Sequence, residues 1–255
     1  MRRPLMLATV AVLALSSGGC VSAMGQATPP DPASYAAVLA EPSYPADERA
    51  RDAARHTVET LAFAEVRPDQ KITDMIMGGG YFTRVFAAAV GPQGHVIAWQ
   101  PAEFIAFQAS YKDAVDAADA MANVDAIRSP IAAPAFAAGQ DMIFTAQNYH
   151  DLHLAPFGTD TASRVNAAAF GALKPGGIYV IVDHHATAGS GLSAANTLHR
   201  IDIETVKREV LAAGFVLDGE SELLANAADP LTTSVFDPAI QGRTSQFMLR
   251  FKKPA

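Results

Sequence analysis

Two short segments carry much of the chain's reactive chemistry. Gln147-Asn148-Tyr149-His150-Asp151-Leu152-His153 follows the apolar run over 141–145. Asp183-His184-His185 follows the apolar run over 178–182. Between them they hold four of the seven histidines. Imidazole titrates near neutrality, so each could move a proton, and histidines near a carboxylate could ligate a metal. The plainer alternative is local: His150 and His153 satisfy loop carbonyls while Asp183-His184 orders its own loop. A third feature is Gly78-Gly79-Gly80, preceded by Asp74 and followed by Tyr81. Glycines there permit dihedrals that other side chains forbid.

The elements that must position these groups follow from periodicity. Residues 72–77 suit a buried strand, 82–90 a helix, 91–94 a turn and 95–99 a second strand. A parallel strand–helix–strand unit with glycines in its first turn lets a nucleotide-like ligand approach the backbone. A helix is expected over 47–64, with His56 as a surface or capping residue. Another is expected over 102–121, and its aromatic residues read as core. Strands follow at 124–129, 141–145, 178–182, from 215 and at 246–251, with helices at 160–173 and 203–213. Strands alternating with helices predict an α/β three-layer sandwich around a mainly parallel sheet.

The first residues read differently. Arg2 and Arg3 precede an apolar run over 5–15, the shape of an export signal. Ser17-Gly18-Gly19-Cys20 resembles a bacterial lipobox, with residues 1–19 removed and Cys20 lipidated. Val21-Ser22-Ala23 offers an ordinary cleavage site instead. Cys20 is the only cysteine, so neither a disulfide within one chain nor a thiolate metal site is expected. Residues 20–45 read as a tether and 46–255 as the folded domain. With 19 basic residues less Arg2 and Arg3 against 26 acidic ones, the processed chain carries about −9, which argues against a nucleic-acid partner. The expected location is the periplasm or the outer membrane, with a lipid at Cys20 as the membrane contact.

Over residues 47–253 the chain resembles the class I S-adenosylmethionine-dependent methyltransferases. The resemblance rests on Asp74 to Gly80 as the acidic and glycine loop, on Leu173-Lys174-Pro175-Gly176-Gly177 before a hydrophobic strand, and on Ala213-Gly214-Phe215 with the final QFMLRF strand. It is similar in particular to exported methyltransferase-like proteins carrying GGGYFT, QNYHDLH and GRTxQF segments. The resemblance implies a seven-stranded Rossmann-like sheet and a small-molecule methyl acceptor. It places S-adenosylmethionine on Asp74, Gly78, Gly79, Gly80, Tyr81, Gln100 and Gln147. Ile76 stands where members usually have glycine. Gln100 stands where they have a ribose-binding acid, with Glu103 the next carboxylate along. Trp99 either packs or stacks on the adenine.

In that fold the strands before Gln147 and Asp183 are neighbours, so the two histidine segments would meet. Three readings follow: local capping; catalysis by Tyr149, His150, His153, Asp183 and His184; or a metal held by His150, His153, Asp183 and His184. The metal reading supports an alternative function, an exported lipoprotein that binds an ion or small ligand without transferring methyl groups. Arg200 could bind an anionic substrate, or pair with Asp202 or Glu204.

Overall fold

The structure is a computed structural model that describes residues 31–41 and 44–255. The expected leader and Cys20 lie outside the described residues. Helix α1 (Pro32–Ala40) falls inside the expected tether. Asp31 caps it by accepting from the Ala33 amide at 2.9 Å, and proline occupies its first turn. Tyr35 and Leu39, four residues apart, are buried together. The Tyr35 hydroxyl donates to the Val66 carbonyl at 2.7 Å. This stretch is therefore docked, because three well-spaced apolar side chains, Tyr35, Leu39 and Tyr44, outweigh its Pro/Ala composition.

Helices α2 (Ala46–Arg55) and α3 (Thr57–Phe63) replace the single helix expected there. His56 breaks them apart in left-handed backbone, φ 44°. Then come β1 (Lys71–Met75), α4 (Tyr81–Val90) and β2 (His95–Pro101). The turn between α4 and β2 needs Gly94, since a Cβ there would stand 2.4 Å from that of Val90. Helices α5 (Ala102–Phe107) and α6 (Ser110–Asp119) precede β3 (Val124–Ser129) and β4 (Gln140–Ala146). Two 3₁₀ turns, His150–His153 and Ala155–Phe157, lead into α7 (Thr161–Ala172) and β5 (Leu173–His184). The chain closes with α8 (Ala195–Leu198), α9 (Ile203–Ala212), β6 (Val216–Ser221) and β7 (Gln246–Lys252).

The seven strands form one sheet in the order β3-β2-β1-β4-β5-β7-β6. The first five run parallel, and β7 is antiparallel to both β5 and β6. Alternation splits the core in two. Ile72, Phe144, Val180 and Met248 face a layer containing α1, α3 and α4. Ile143, Tyr179, Ile181 and Phe247 face a layer containing α7 and α9. Each large apolar side chain fully buried on either face stabilises the fold by about 1.5–3 kcal/mol. The αβα sandwich and its mainly parallel seven-stranded sheet match the expectation. Among the described residues no helix is long and apolar enough to cross a membrane.

The order of strands reverses beside β1, which lies between β2 and β4. Open α/β sheets leave a crevice at the carboxyl ends of such strands. Here the loops after β1, β4 and β5 converge on that crevice.

Candidate active site

A cavity of about 550 Å³ lies over the carboxyl ends of β1, β4 and β5. One wall is the turn after β1. Asp74 is buried, and its carboxylate accepts from the Thr83 hydroxyl at 2.6 Å. Burial pushes its carboxyl up to about 6, partly offset by that hydrogen bond. Ile76 takes a left-handed backbone, φ 62°. A β-branched residue is costly in that conformation. It is pinned by Asn148, whose amide donates to the Ile76 carbonyl at 3.1 Å, and by the Met77 amide, which donates to the Trp99 carbonyl at 3.0 Å. The turn thus adopts a glycine-like path without the glycine. A Cβ at Gly78 or Gly79 would meet only open space, so this wall leaves room for a ligand against the backbone.

Two expectations at this wall need correction. Gln100 does not line the cavity. Its side-chain carbonyl accepts from the Gly78 amide at 2.9 Å, while its buried Nε2 has no partner among the described residues. Gln100 has turned inward to tie the glycine turn to β2. The Gly80 amide is also used internally, donating to the Met77 carbonyl at 2.8 Å. The Tyr81 hydroxyl is engaged by Asp52 and Thr57, so only its ring meets the cavity, beneath the guanidinium groups of Arg51 and Arg55 at 4.7 and 4.6 Å. Trp99 is fully buried and donates to Ser129, and Glu103 accepts from the Ile131 amide. Neither reaches the cavity.

The opposite wall is built from histidines. Asp183 is fully buried at the end of β5. It accepts from the His150 and His184 amides, each at 2.7 Å, and contacts His150 Nδ1 at 2.8 Å. On its other side, His150 Nε2 lies 3.2 Å from Asp151 Oδ1 and 3.3 Å from His199 Nδ1. Burial alone would lower the His150 pKa, but Asp183 and Asp151 outweigh it and hold it up at about 10. Burial likewise disfavours ionised Asp151, yet hydrogen bonds with His150 and His199 keep its carboxyl below the usual range. His184 is the opposite case. Burial pushes it down to about 4, and its Nδ1 meets the Thr244 hydroxyl at 2.8 Å. Gln147, at φ 64°, completes this wall and donates to Gln246 at 3.0 Å.

The expected cluster is therefore only partly assembled. His150, His184, Asp151, Asn148 and Gln147 line the cavity, with Asp183 directly behind. Tyr149 and His153 do not belong to it. Both turn toward Glu209 on α9, at 3.0 and 3.1 Å, and Tyr149 also accepts from Asn166 at 2.8 Å. Three residues apart on a 3₁₀ turn, His150 and His153 would start on the same side, but Asp183 holds one ring and Glu209 the other, so they part company. The proposed metal set of His150, His153, Asp183 and His184 fails for that reason. Of the expected imidazoles, His150 and His184 line the cavity and neither titrates near neutrality, so this pair does not supply the expected general base.

Lining groups outside the expected set include His199, Arg55 and the Val235-Phe236 pair. His199 reaches the site because its segment pairs alongside the end of β5. His185 bridges Ile201 in parallel, and the Ile201 amide donates to the His184 carbonyl at 3.0 Å. Arg200 fastens that segment and binds neither of its expected partners. It is fully buried, and its two terminal nitrogens meet the two Asp229 carboxylate oxygens at 2.9 and 3.0 Å.

Comparison with solved structures places the fold. The chain is similar to a SAM (S-adenosylmethionine) dependent methyltransferase from Aquifex aeolicus, at 16% identity and TM-score 0.56, over 87% of this chain and 98% of that one. It is also similar to the [4+2]-cyclase SpnF, at 16% identity and TM-score 0.57, over 80% and 82%. A third is a SAM dependent methyltransferase from Mesorhizobium loti, at 14% identity and TM-score 0.50, over 77% and 97%. The chain has the Rossmann-like fold of SAM-dependent methyltransferases. No family profile matches it, and neither does any curated protein.

Proposed function

We propose that the protein is a SAM-dependent methyltransferase of the cell envelope acting on a small-molecule acceptor. The observation that carries this reading is the cavity at the switch point of a methyltransferase-like sheet, with buried Asp74 and the unobstructed Gly78-Gly79 backbone on one side. The residues present fit the cofactor at its amino-acid end. Asp74 supplies a carboxylate for its ammonium, and Arg55 supplies a cation for its carboxylate. Phe104 and Tyr111 offer an apolar, aromatic wall for a base. The ribose would be held without a β2 carboxylate, since Gln100 is committed to Gly78.

When bound, the cofactor supplies an electrophilic methyl group, and transfer is an in-line displacement that depends mainly on positioning. The chain's own contribution is orientation and charge. The charge of His150 is balanced by Asp183 and Asp151, so the positive charge offered to an acceptor that carries or develops negative charge comes from Arg51 and Arg55, which line the same cavity. Neutral His184 can hydrogen-bond the acceptor. The envelope location is supported by Arg2, Arg3, the apolar run behind them and Cys20. The same fold in a [4+2]-cyclase shows that architecture alone does not choose the reaction.

Calorimetric titration with SAM and with its demethylated product tests the reading. The expected result is saturable binding of both ligands that Asp74→Asn abolishes. Absence of heat at millimolar ligand, with the protein folded, overturns it.

A further inference from the structure

We propose that His150, Asp151 and His199 form a binding site for one divalent transition-metal ion of the zinc class, opening on the cavity. The geometry points there directly. His150 Nε2, Asp151 Oδ1 and His199 Nδ1 stand at 3.2, 3.3 and 3.6 Å from one another. Three ligands of a tetrahedral ion with bonds of about 2.0–2.1 Å are separated by roughly 3.3 Å. The trio thus already outlines one face of a coordination tetrahedron, and all three atoms lie within 4.8 Å of one another.

The surroundings support the same role. The His150 Nδ1 faces Asp183 at 2.8 Å, which fixes the ring and leaves Nε2 as the ligating nitrogen. A carboxylate behind a metal-bound imidazole does this work in metal sites generally. Asp183 is itself immobilised by the amides of His150 and His184. His199 is set in a left-handed backbone, φ 54°, and its ring packs edge-on against Phe236. All three ligand residues line the cavity, so a fourth position is left for an oxygen donor such as water or a hydroxyl group. Two imidazoles and one carboxylate suit zinc, with cobalt(II) as its spectroscopic substitute, and the ion would displace the proton on His150 Nε2 to solvent as it binds. This set differs from the one read off the sequence, keeping His150 and replacing three residues with Asp151 and His199. It does not depend on methyl transfer.

The test uses untagged protein stripped with a chelator and titrated with zinc alone, then with cobalt(II) alone. The expected result is one ion per chain, visible absorption bands of a tetrahedral cobalt(II) centre, and a higher melting temperature with zinc. Asp151→Asn, nearly isosteric, and His199→Ala should each weaken binding by at least about 10-fold, while His153→Ala leaves it unchanged. Substoichiometric binding overturns the proposal, as does binding that survives both ligand substitutions or is lost in His153→Ala. Titrating SAM into metal-free protein separates the two readings. Metal binding without SAM heat removes only the methyltransferase reading, and SAM heat without metal binding removes only this one.

Discussion

The two walls of the cavity are made of different materials. The wall after β1 is mostly backbone: an open glycine turn, one buried carboxylate, and a left-handed Ile76 held by its neighbours. The wall after β4 and β5 is mostly side chain, with three histidines and two aspartates linked by contacts of 2.7–3.3 Å. A backbone wall supplies space and a shape that many ligands share. A side-chain wall supplies charge and directional contacts, which select a particular ligand. It also stakes stability on its polar groups being fully paired, because an uncompensated buried charge is far costlier than an unfilled space.

The largest expected effect tests that dependence. Asp183→Ala leaves the His150 imidazolium one carboxylate short and strips the acceptor from the His150 and His184 amides. Breaking a buried ion pair from one side costs about 3–5 kcal/mol. A urea unfolding midpoint should fall accordingly. A loss below about 1 kcal/mol would mean the histidine wall is not held together by this carboxylate.

The next effect distinguishes the walls by pH. Asp74 is raised by burial from an ordinary 3.8 to about 6. The folded chain therefore binds a proton more tightly than the unfolded one, and this group's contribution is lost as pH rises through that window. His184 is lowered by burial from 6.5 to about 4. The unfolded chain takes up that proton first, so stability is lost as pH falls through nearly the same window. At about 1.4 kcal/mol per pH unit, each contribution amounts to about 3 kcal/mol, and they oppose each other. Asp74→Asn should tilt the curve of melting temperature against pH one way between pH 4 and 6.5, and His184→Asn the other. Asp74→Asn should also be more stable than the parent at pH 7 while losing SAM. Parallel curves for the two variants would refute the assignment.

The walls also differ in how legible they were. The backbone wall could be read from Asp74 and three adjacent glycines between a strand pattern and a helix pattern, because glycine marks conformation directly. Its conformation at Ile76 could not, since the left-handed backbone is imposed by tertiary hydrogen bonds from Asn148 and Met77. Gln100 was legible as a residue at the end of β2 but not as one turned inward, because its partner is an amide 22 residues away. The side-chain wall was half legible. Topology brought His150 and Asp183 together, but the residue type could not say that Tyr149 and His153 turn toward Glu209. His199 was hidden because it arrives by a single strand-like bridge after a long connection, fastened by the Arg200–Asp229 pair. The Pro/Ala-rich stretch before residue 46 concealed a docked helix for a related reason: composition averages over the few buried side chains that decide.

The smallest effect on stability isolates what the backbone wall does. Gly79 has no left-handed dihedral to lose, and a Cβ there would touch nothing within 4 Å. Gly79→Ala should leave the unfolding free energy within about 0.5 kcal/mol of the parent, as for ordinary exposed substitutions. Gly78, at φ 54°, is the contrast, since alanine there costs roughly 1–2 kcal/mol from the backbone alone. If the turn exists to let a ligand lie against the chain, Gly79→Ala should weaken SAM binding by about tenfold or more with the melting curve unmoved. Unchanged affinity would place the ligand elsewhere in the cavity and leave the glycines as a tight bend. The histidine wall has no equivalent experiment, because no side chain in it can be altered without disturbing its neighbours' hydrogen bonds.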